Sequence, residues 1–182
     1  DAIGPYRLGL VARAEKNDAE ALTYFEEALT RKPTAVDALA KIATIKIGQG
    51  KANEAQERVL RQVEASPNNP QLYNLLGQLW MQAKDAGKAE TAFKKALELD
   101  NSFLSAYLNL GQVYHHAGKT DQAAKEYEAA LAKDPKVLQA HMLLGIIHDS
   151  QKEYAKAQGH YQEILKINSR FAPAANNLAW LL

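Results

Sequence analysis

The strongest constraint on the fold is a repeat of small and large apolar residues at intervals of 34 residues. It is marked by six dipeptides in which a large aliphatic residue precedes Gly or Ala, namely Leu8-Gly9, Ile42-Ala43, Leu76-Gly77, Leu110-Gly111, Leu144-Gly145 and Leu178-Ala179. A period of this length is the signature of stacked helical units, in which each unit buries its apolar face against its neighbours. The chain is therefore predicted to fold as an array and not around one closed core.

Each unit contains two amphipathic patterns of helical period. In the fourth unit, Tyr107, Leu110 and Tyr114 share one helical face, and Ala123 and Tyr127 begin the apolar face of a second helix. The sequence thus predicts two helices per unit. The predicted units are 2–35, 36–69, 70–103, 104–137 and 138–171, followed by 172–182 as the first helix of a sixth unit, truncated or capping.

The residues between the two helices of a unit predict where each helix ends and begins. Gly50 and Gly118 lie where a left-handed residue would end a first helix. Asp18, Asn53 and Asp121 lie where a second helix would take its N-cap, because short polar side chains accept hydrogen bonds from the first backbone amides.

This pattern resembles the tetratricopeptide repeat (TPR) family over essentially the whole chain. The third unit matches the family signature at Tyr73, Leu76, Gly77, Trp80, Ala89, Phe93 and Ala96. The resemblance implies an all-α, TPR-type α-solenoid: a right-handed superhelix of antiparallel helix pairs, with five full repeats and the first helix of a sixth. It further implies a concave groove that is lined by the first helices and binds a protein or peptide.

The groove residues implied by the resemblance mix amides with flexible apolar side chains, a composition that suits an extended peptide or a partner helix. They are Tyr6, Leu10, Arg13, Thr44, Ile47, Asn74, Gln78, Met81, Leu108, Asn109, Gln112, His115, Met142, Ile146, Asp149, Asn177 and Trp180. The alternative for the apolar members, above all Leu108 and Ile146, is that they only seal contacts between adjacent first helices.

The composition argues against several other function classes. The 22 basic and 21 acidic residues nearly balance, so no net field attracts nucleic acid or an anionic membrane, and no apolar run is long enough for membrane insertion. Cysteine is absent, which excludes disulfide scaffolds and thiolate chemistry. No catalytic motif is present, so an enzyme is not expected and no cofactor is implied.

The histidines do not form a known metal motif. His115, His116 and His148, with Asp149, lie near the ends of neighbouring first helices, but His141 and His148 occupy positions where the repeats otherwise pack tyrosine. We therefore expect structural or solvated histidines and no metal site.

The leading hypothesis is a non-catalytic scaffold or adaptor that binds a peptide segment or a partner protein. A second hypothesis is self-assembly, including a homodimer through the C-terminal helix, where Leu178, Ala179 and Leu182 are expected to face the place of a second helix that this chain does not contain and Trp180 can anchor an interface. A third is the recognition arm of a larger enzyme or of an envelope or exopolysaccharide assembly protein. The last repeats resemble long bacterial TPR proteins, and Asp1 in place of Met predicts a fragment, which leaves cytoplasm and periplasm open.

Overall fold

The protein consists of α-helices throughout the part that the structure, a computed structural model, describes, which is residues 1–181. The helices are α1 (Ile3–Ala14), α2 (Asp18–Arg31), α3 (Val36–Gly48), α4 (Ala52–Ala65), α5 (Pro70–Gln82), α6 (Ala86–Leu99), α7 (Leu104–His116), α8 (Thr120–Lys133), α9 (Leu138–Ser150), α10 (Tyr154–Ile167) and α11 (Ala172–Trp180). The all-α prediction is confirmed. The prediction for Leu182 lies outside the described residues.

The helices group into two compact units, Asp1–Asn101 with α1 to α6 and Ser102–Leu182 with α7 to α11. In each unit every helix packs on the helix that follows it in sequence, and in the first unit α3 also packs on α5. This nearest-neighbour packing is the arrangement in which each repeat buries the face that its neighbour leaves open. The division into 34-residue units stays a prediction, because the compact units are larger.

Within a helix pair, an aromatic ring of the second helix lies directly on a glycine of the first. A Cβ atom added at Gly77 would lie 2.6 Å from Cε1 of Phe93, and one added at Gly145 would lie 2.5 Å from Cε1 of Tyr161. Only glycine therefore allows this close approach of ring and backbone. In the α3–α4 pair the equivalent residues are Ala43 and Val59, both buried, so a larger residue on the first helix accompanies a smaller one on the second.

The predicted ends of the first helices are confirmed. Gly50 and Gly118 follow α3 and α7 with φ of +76° and +72°, the left-handed region that glycine enters without a steric penalty. Lys16, Lys84 and Lys152 adopt the same conformation after α1, α5 and α9 with φ near +60°. The turn is thus kept where the sequence has no glycine.

The predicted N-caps of the second helices are wrong. The side chain of Asn17 caps α2 by accepting from the amide of Glu20, so Asp18 is already the first helical residue. Helices α4 and α8 begin at Ala52 and Thr120, which places Asn53 and Asp121 inside the first turn.

The physical reason is that backbone hydrogen bonds, and not side-chain caps, fix the first residues of α4 and α8. The amide of Ala55 donates to the carbonyl of Lys51 at 3.2 Å, and the amide of Ala123 donates to the carbonyl of Lys119 at 3.0 Å. The helical ladder therefore begins before the polar side chain that could have capped it.

Candidate partner-binding surface

The predicted binding residues lie on the first helices, which form the first-helix face of each unit: α1, α3 and α5 in the first, and α7, α9 and α11 in the second. Most of them are exposed or half-buried. Exposed are Leu10, Arg13, Thr44, Gln78, His115, Ile146 and Trp180. Half-buried are Tyr6, Ile47, Met81, Leu108, Asn109, Gln112, Met142, Asp149 and Asn177. Asn74 is buried, with 9% of its surface exposed, so little of it remains for a partner.

Tyr6 of α1 packs against the second helix of its own pair. Its ring lies 5.7 Å from the ring of Phe25, centroid to centroid, and packs on the core. Burial, and to a smaller extent the carboxylate of Asp37 at the start of α3, raise the pKa of the Tyr6 phenol. The hydroxyl therefore stays protonated and can donate a hydrogen bond at the edge of the first-helix face.

Two polar residues of the prediction already have partners within their own helix or turn. Oγ1 of Thr44 donates to the carbonyl of Ala40 at 2.8 Å, and the guanidinium of Arg13 forms an ion pair with Asp18. The Thr44 bond runs from a side chain to the backbone of the same helix and stabilises no tertiary contact, whereas the Arg13 ion pair joins a side chain of α1 to one at the start of α2. Thr44 and Arg13 would have to exchange these bonds for new ones in a complex.

The first-helix face of the second unit brings α9 and α11 together. Nδ2 of Asn177 lies 3.9 Å from Sδ of Met142, a weak donor contact to the thioether. Ile146 and Trp180 occupy the same repeat position on these two helices and expose 43% and 74% of their surfaces. Both helices therefore expose an apolar side chain, and the amide of Asn177 lies beside Met142.

A groove that sequence reasoning missed lies in the first unit, among α4, α5 and α6. It has a volume of about 690 Å³, and Tyr73, Leu76 and Trp80 of α5 line it between Leu60 of α4 and Ala92 of α6. The ammonium group of Lys88 lies 4.3 Å from the centroid of the Trp80 ring, which is cation–π distance. We call this the aromatic groove.

The equivalent groove in the second unit is lined by histidines. It has a volume of about 420 Å³ and is lined by Glu128 of α8, by His141 and His148 of α9, and by Lys156, Gly159, His160 and Glu163 of α10. Each of these residues follows its counterpart in the aromatic groove by two intervals of 34 residues. Comparing residues at that spacing is the sequence signal that could have found both grooves. We call this one the histidine groove.

Residues 58–170 match the family model for the cytochrome c-type biogenesis protein H TPR domain, and residues 12–79 match a second tetratricopeptide repeat model. The first match alone spans more than half of the chain. The chain belongs to the tetratricopeptide repeat family.

Solved structures of other tetratricopeptide repeat proteins have the same fold. MamA is 22% identical with a TM-score of 0.71, covering 91% of this chain and 97% of that one. The thermophilic protein TTC0263 of Thermus thermophilus is 23% identical with a TM-score of 0.71, covering 100% and 98%. YrrB, described as having an unusual peptide-binding site, is 20% identical with a TM-score of 0.66, covering 100% and 93%. No curated protein matches the sequence.

These matches confirm the TPR-type α-solenoid of about five repeats that the sequence predicts. The fold generally mediates protein–protein interaction. At such identities the solved structures bear on the fold alone and leave the partner of this tetratricopeptide repeat chain undefined.

Within residues 1–181 of this repeat protein, no group of three His, Cys, Asp or Glu side chains is placed to hold a metal ion. The histidine groove illustrates why. The rings of His148 and His160 lie 5.5 Å apart and within 5° of parallel, so their in-plane lone pairs do not converge on one point. None of the helices in the same range has the length and apolar character needed to cross a bilayer.

Proposed function

We propose that this chain is a non-catalytic protein-interaction module that binds an extended peptide or a partner segment along its first-helix faces. The observation that carries the proposal is the surface formed by Met142, Ile146, Asn177 and Trp180 in the second unit. Ile146 and Trp180 are exposed, and the amide of Asn177 lies beside Met142.

The chemistry of this surface suits a peptide. Methionine and isoleucine provide apolar contacts that adapt to different side chains, and the amide of Asn177 can exchange its weak thioether contact for a bond to a peptide backbone. An exposed tryptophan is the residue type that most often anchors an interface. The peptide-binding site named for YrrB concerns that protein, and the shared fold makes a comparable use of this chain reasonable.

A random peptide library displayed on phage tests this proposal. Peptides selected on the parent protein should bind Ile146→Asp and Trp180→Ala at least about tenfold more weakly, because each change removes an apolar anchor. Tyr154→Asp and Ile167→Asp are the matched controls, since they alter residues of α10 with 45% and 39% exposure that lie outside the first-helix face. Equal loss in the controls, or unchanged binding in both first-helix variants, would contradict the proposed site.

Self-association through α11 is the second candidate function. Trp180 is 74% exposed, and Leu178 and Leu181 on the same segment are only half-buried. Size-exclusion chromatography with light scattering should show a concentration-dependent oligomer that Trp180→Glu abolishes. A monomer at all concentrations would contradict self-association and leave Trp180 to the peptide site.

A further inference from the structure

The three histidines of the histidine groove form one connected cluster. Nδ1 of His141 lies 3.0 Å from Nδ1 of His160, and Nε2 of His141 lies 2.9 Å from the carbonyl oxygen of Pro135. Nδ1 of His148 lies 2.6 Å from a carboxylate oxygen of Glu153, and its ring stacks on that of His160. The cluster therefore ties the α8–α9 turn and α9 to α10.

The partners of these nitrogens define the protons of the neutral state. The carbonyl of Pro135 can only accept, so Nε2 of His141 carries a proton and Nδ1 is its acceptor. Nδ1 of His160 must then donate to His141. The carboxylate of Glu153 likewise accepts from Nδ1 of His148. With three neutral rings, every one of these contacts is a satisfied hydrogen bond.

The His141–His160 pair loses its hydrogen bond when it takes up a second added proton. One extra proton can remain on the His141–His160 pair, but a second leaves two N–H groups facing each other at 3.0 Å. The centroids of the His141 and His148 rings lie 5.3 and 5.5 Å from that of His160, so the charges would also repel one another. An unfolded chain has no such limit, and these three residues protonate independently there.

The neighbouring carboxylates offset only part of this repulsion, and the charge of Glu163 raises the pKa of His160 less than burial and the two histidines lower it. The carboxylate of Glu163 forms an ion pair with Lys166. The carboxylate of Glu153 forms an ion pair with Lys156 at 3.0 Å and accepts from His148. Glu128 of α8 lies on the exposed rim of the groove. Helix α11, which also packs on α10, has no ionisable side chain. Burial, followed by the charges of His141 and His148, lowers the pKa of His160 to about 4.

We propose that His141, His148 and His160 form an acid-sensitive latch, which holds α10 against α9 at neutral pH and releases it when the cluster is forced to take up protons. The folded state binds fewer protons than the unfolded state between the ordinary histidine pKa of about 6.5 and the lowered pKa of His160. Stability is therefore intact above this window and is lost as the pH falls through it.

The same helix carries part of the candidate binding surface, since Met142 and Ile146 lie on a different face of α9. Opening the latch would then alter partner binding in acid. That consequence rests on the proposed function, whereas the latch does not. Experiments on the protein without a partner test the latch alone.

Hydrogen exchange of the whole chain at pH 7 and pH 5, corrected for intrinsic rates, is the test. Protection of α9 and α10 should fall roughly twentyfold more than protection of α5 and α6 if His160 alone carries the effect. The double variant His141→Tyr with His160→Ala installs the residues that Tyr73 and Ala92 provide in the first unit. It should remove the difference between the two helix pairs.

Equal acid sensitivity of the two pairs in the parent, or unchanged sensitivity in the double variant, would overturn the proposal. An NMR titration of the parent's histidine ring protons keeps the test decisive if the double variant does not fold. His160 should titrate well below pH 6. Titration of all three rings near pH 6.5 would exclude the latch.

Discussion

The two compact units share the interior of their helix pairs and differ in the groove beside it. Gly77 under Phe93 and Gly145 under Tyr161 give the same close contact of ring and backbone. Three of the groove residues around them differ: Tyr73, Trp80 and Ala92 in the first unit are replaced by His141, His148 and His160 in the second. The seam between the paired helices, where ring and glycine meet, therefore fixes the fold, while the groove beside it can carry different chemistry.

The residue that precedes the second helix of a pair also makes different contacts in the two units. Asp85 caps α6 by accepting from the amide of Lys88 at 3.0 Å. Glu153, its counterpart before α10, makes no cap bond and reaches His148 instead. The carboxylate of Glu153 thus contacts a histidine of the groove where that of Asp85 caps a helix.

The largest expected effect tests the shared seam. Gly77→Ala and Gly145→Ala should each destabilise the protein by about 3 kcal/mol, because an aromatic ring must move away from the new methyl group. This outweighs the gain of about 1 kcal/mol in helix propensity. Chemical denaturation measures both.

The α3–α4 pair supplies the control for this prediction. Gly77→Ala combined with Phe93→Val copies the buried residues Ala43 and Val59. This double variant should be more stable than Gly77→Ala alone. A double variant less stable than the single one would show that volume exchange across the seam does not explain the α3–α4 pair.

The next largest effect would transfer the histidine chemistry to the first unit. Tyr73→His with Ala92→His places two imidazoles at the positions equivalent to His141 and His160, in a groove of about 690 Å³. Lowering the pH from 7 to 5 should then cost about 2 kcal/mol beyond the loss in the parent, because two adjacent imidazolium ions repel each other. Urea denaturation at both pH values measures it, and an unchanged pH dependence would contradict the comparison.

Sequence reasoning predicted the features that recur from repeat to repeat and missed those that occur in one repeat only. Gly50 and Gly118 were predictable because a left-handed turn favours glycine. The role of His160 was not, because this repeat position varies without pattern among Tyr24, Arg58, Ala92, Glu126 and His160. Only the packing of α10 on α9 brings its ring to His141 and His148.

The candidate surface was predictable to a similar degree. The repeat frame predicted which positions lie on the first helices, and the exposure of Ile146 and Trp180 agrees with a role in binding. It did not predict that Asn74 is buried, because the same position also carries Tyr6, Leu108 and Met142, and burial at each depends on the neighbouring helix. Burial of a given side chain depends on tertiary packing, which cannot be read from the pattern of a single sequence.

A smaller effect tests a difference within the seam itself. The second unit uses Tyr127 and Tyr161 where the first uses Phe25 and Phe93, and within residues 1–181 the hydroxyl of Tyr127 is buried without a hydrogen-bond partner. Burial raises the pKa of Tyr127 to about 12. Tyr127→Phe should stabilise the protein by about 1 kcal/mol, because an unsatisfied polar group is removed. Thermal and chemical denaturation measure the change.

Phe93→Tyr is the reverse control and should destabilise the protein. A stabilised Phe93→Tyr variant would contradict this account.

The smallest effect separates the two carboxylates that precede the second helices. Asp85→Ala should speed exchange of the Lys88 amide a few-fold, because the cap bond is lost. Glu153→Ala should leave exchange of the Lys156 amide unchanged, since Glu153 does not cap α10.

The cap of Asp85 also depends on pH. The bond from the Lys88 amide lowers the pKa of Asp85, so the cap contributes to stability above the ordinary aspartate pKa and is lost as the pH falls through the lowered pKa. NMR-detected exchange at neutral and acid pH measures both amides, and equal responses would mean that the two carboxylates act alike.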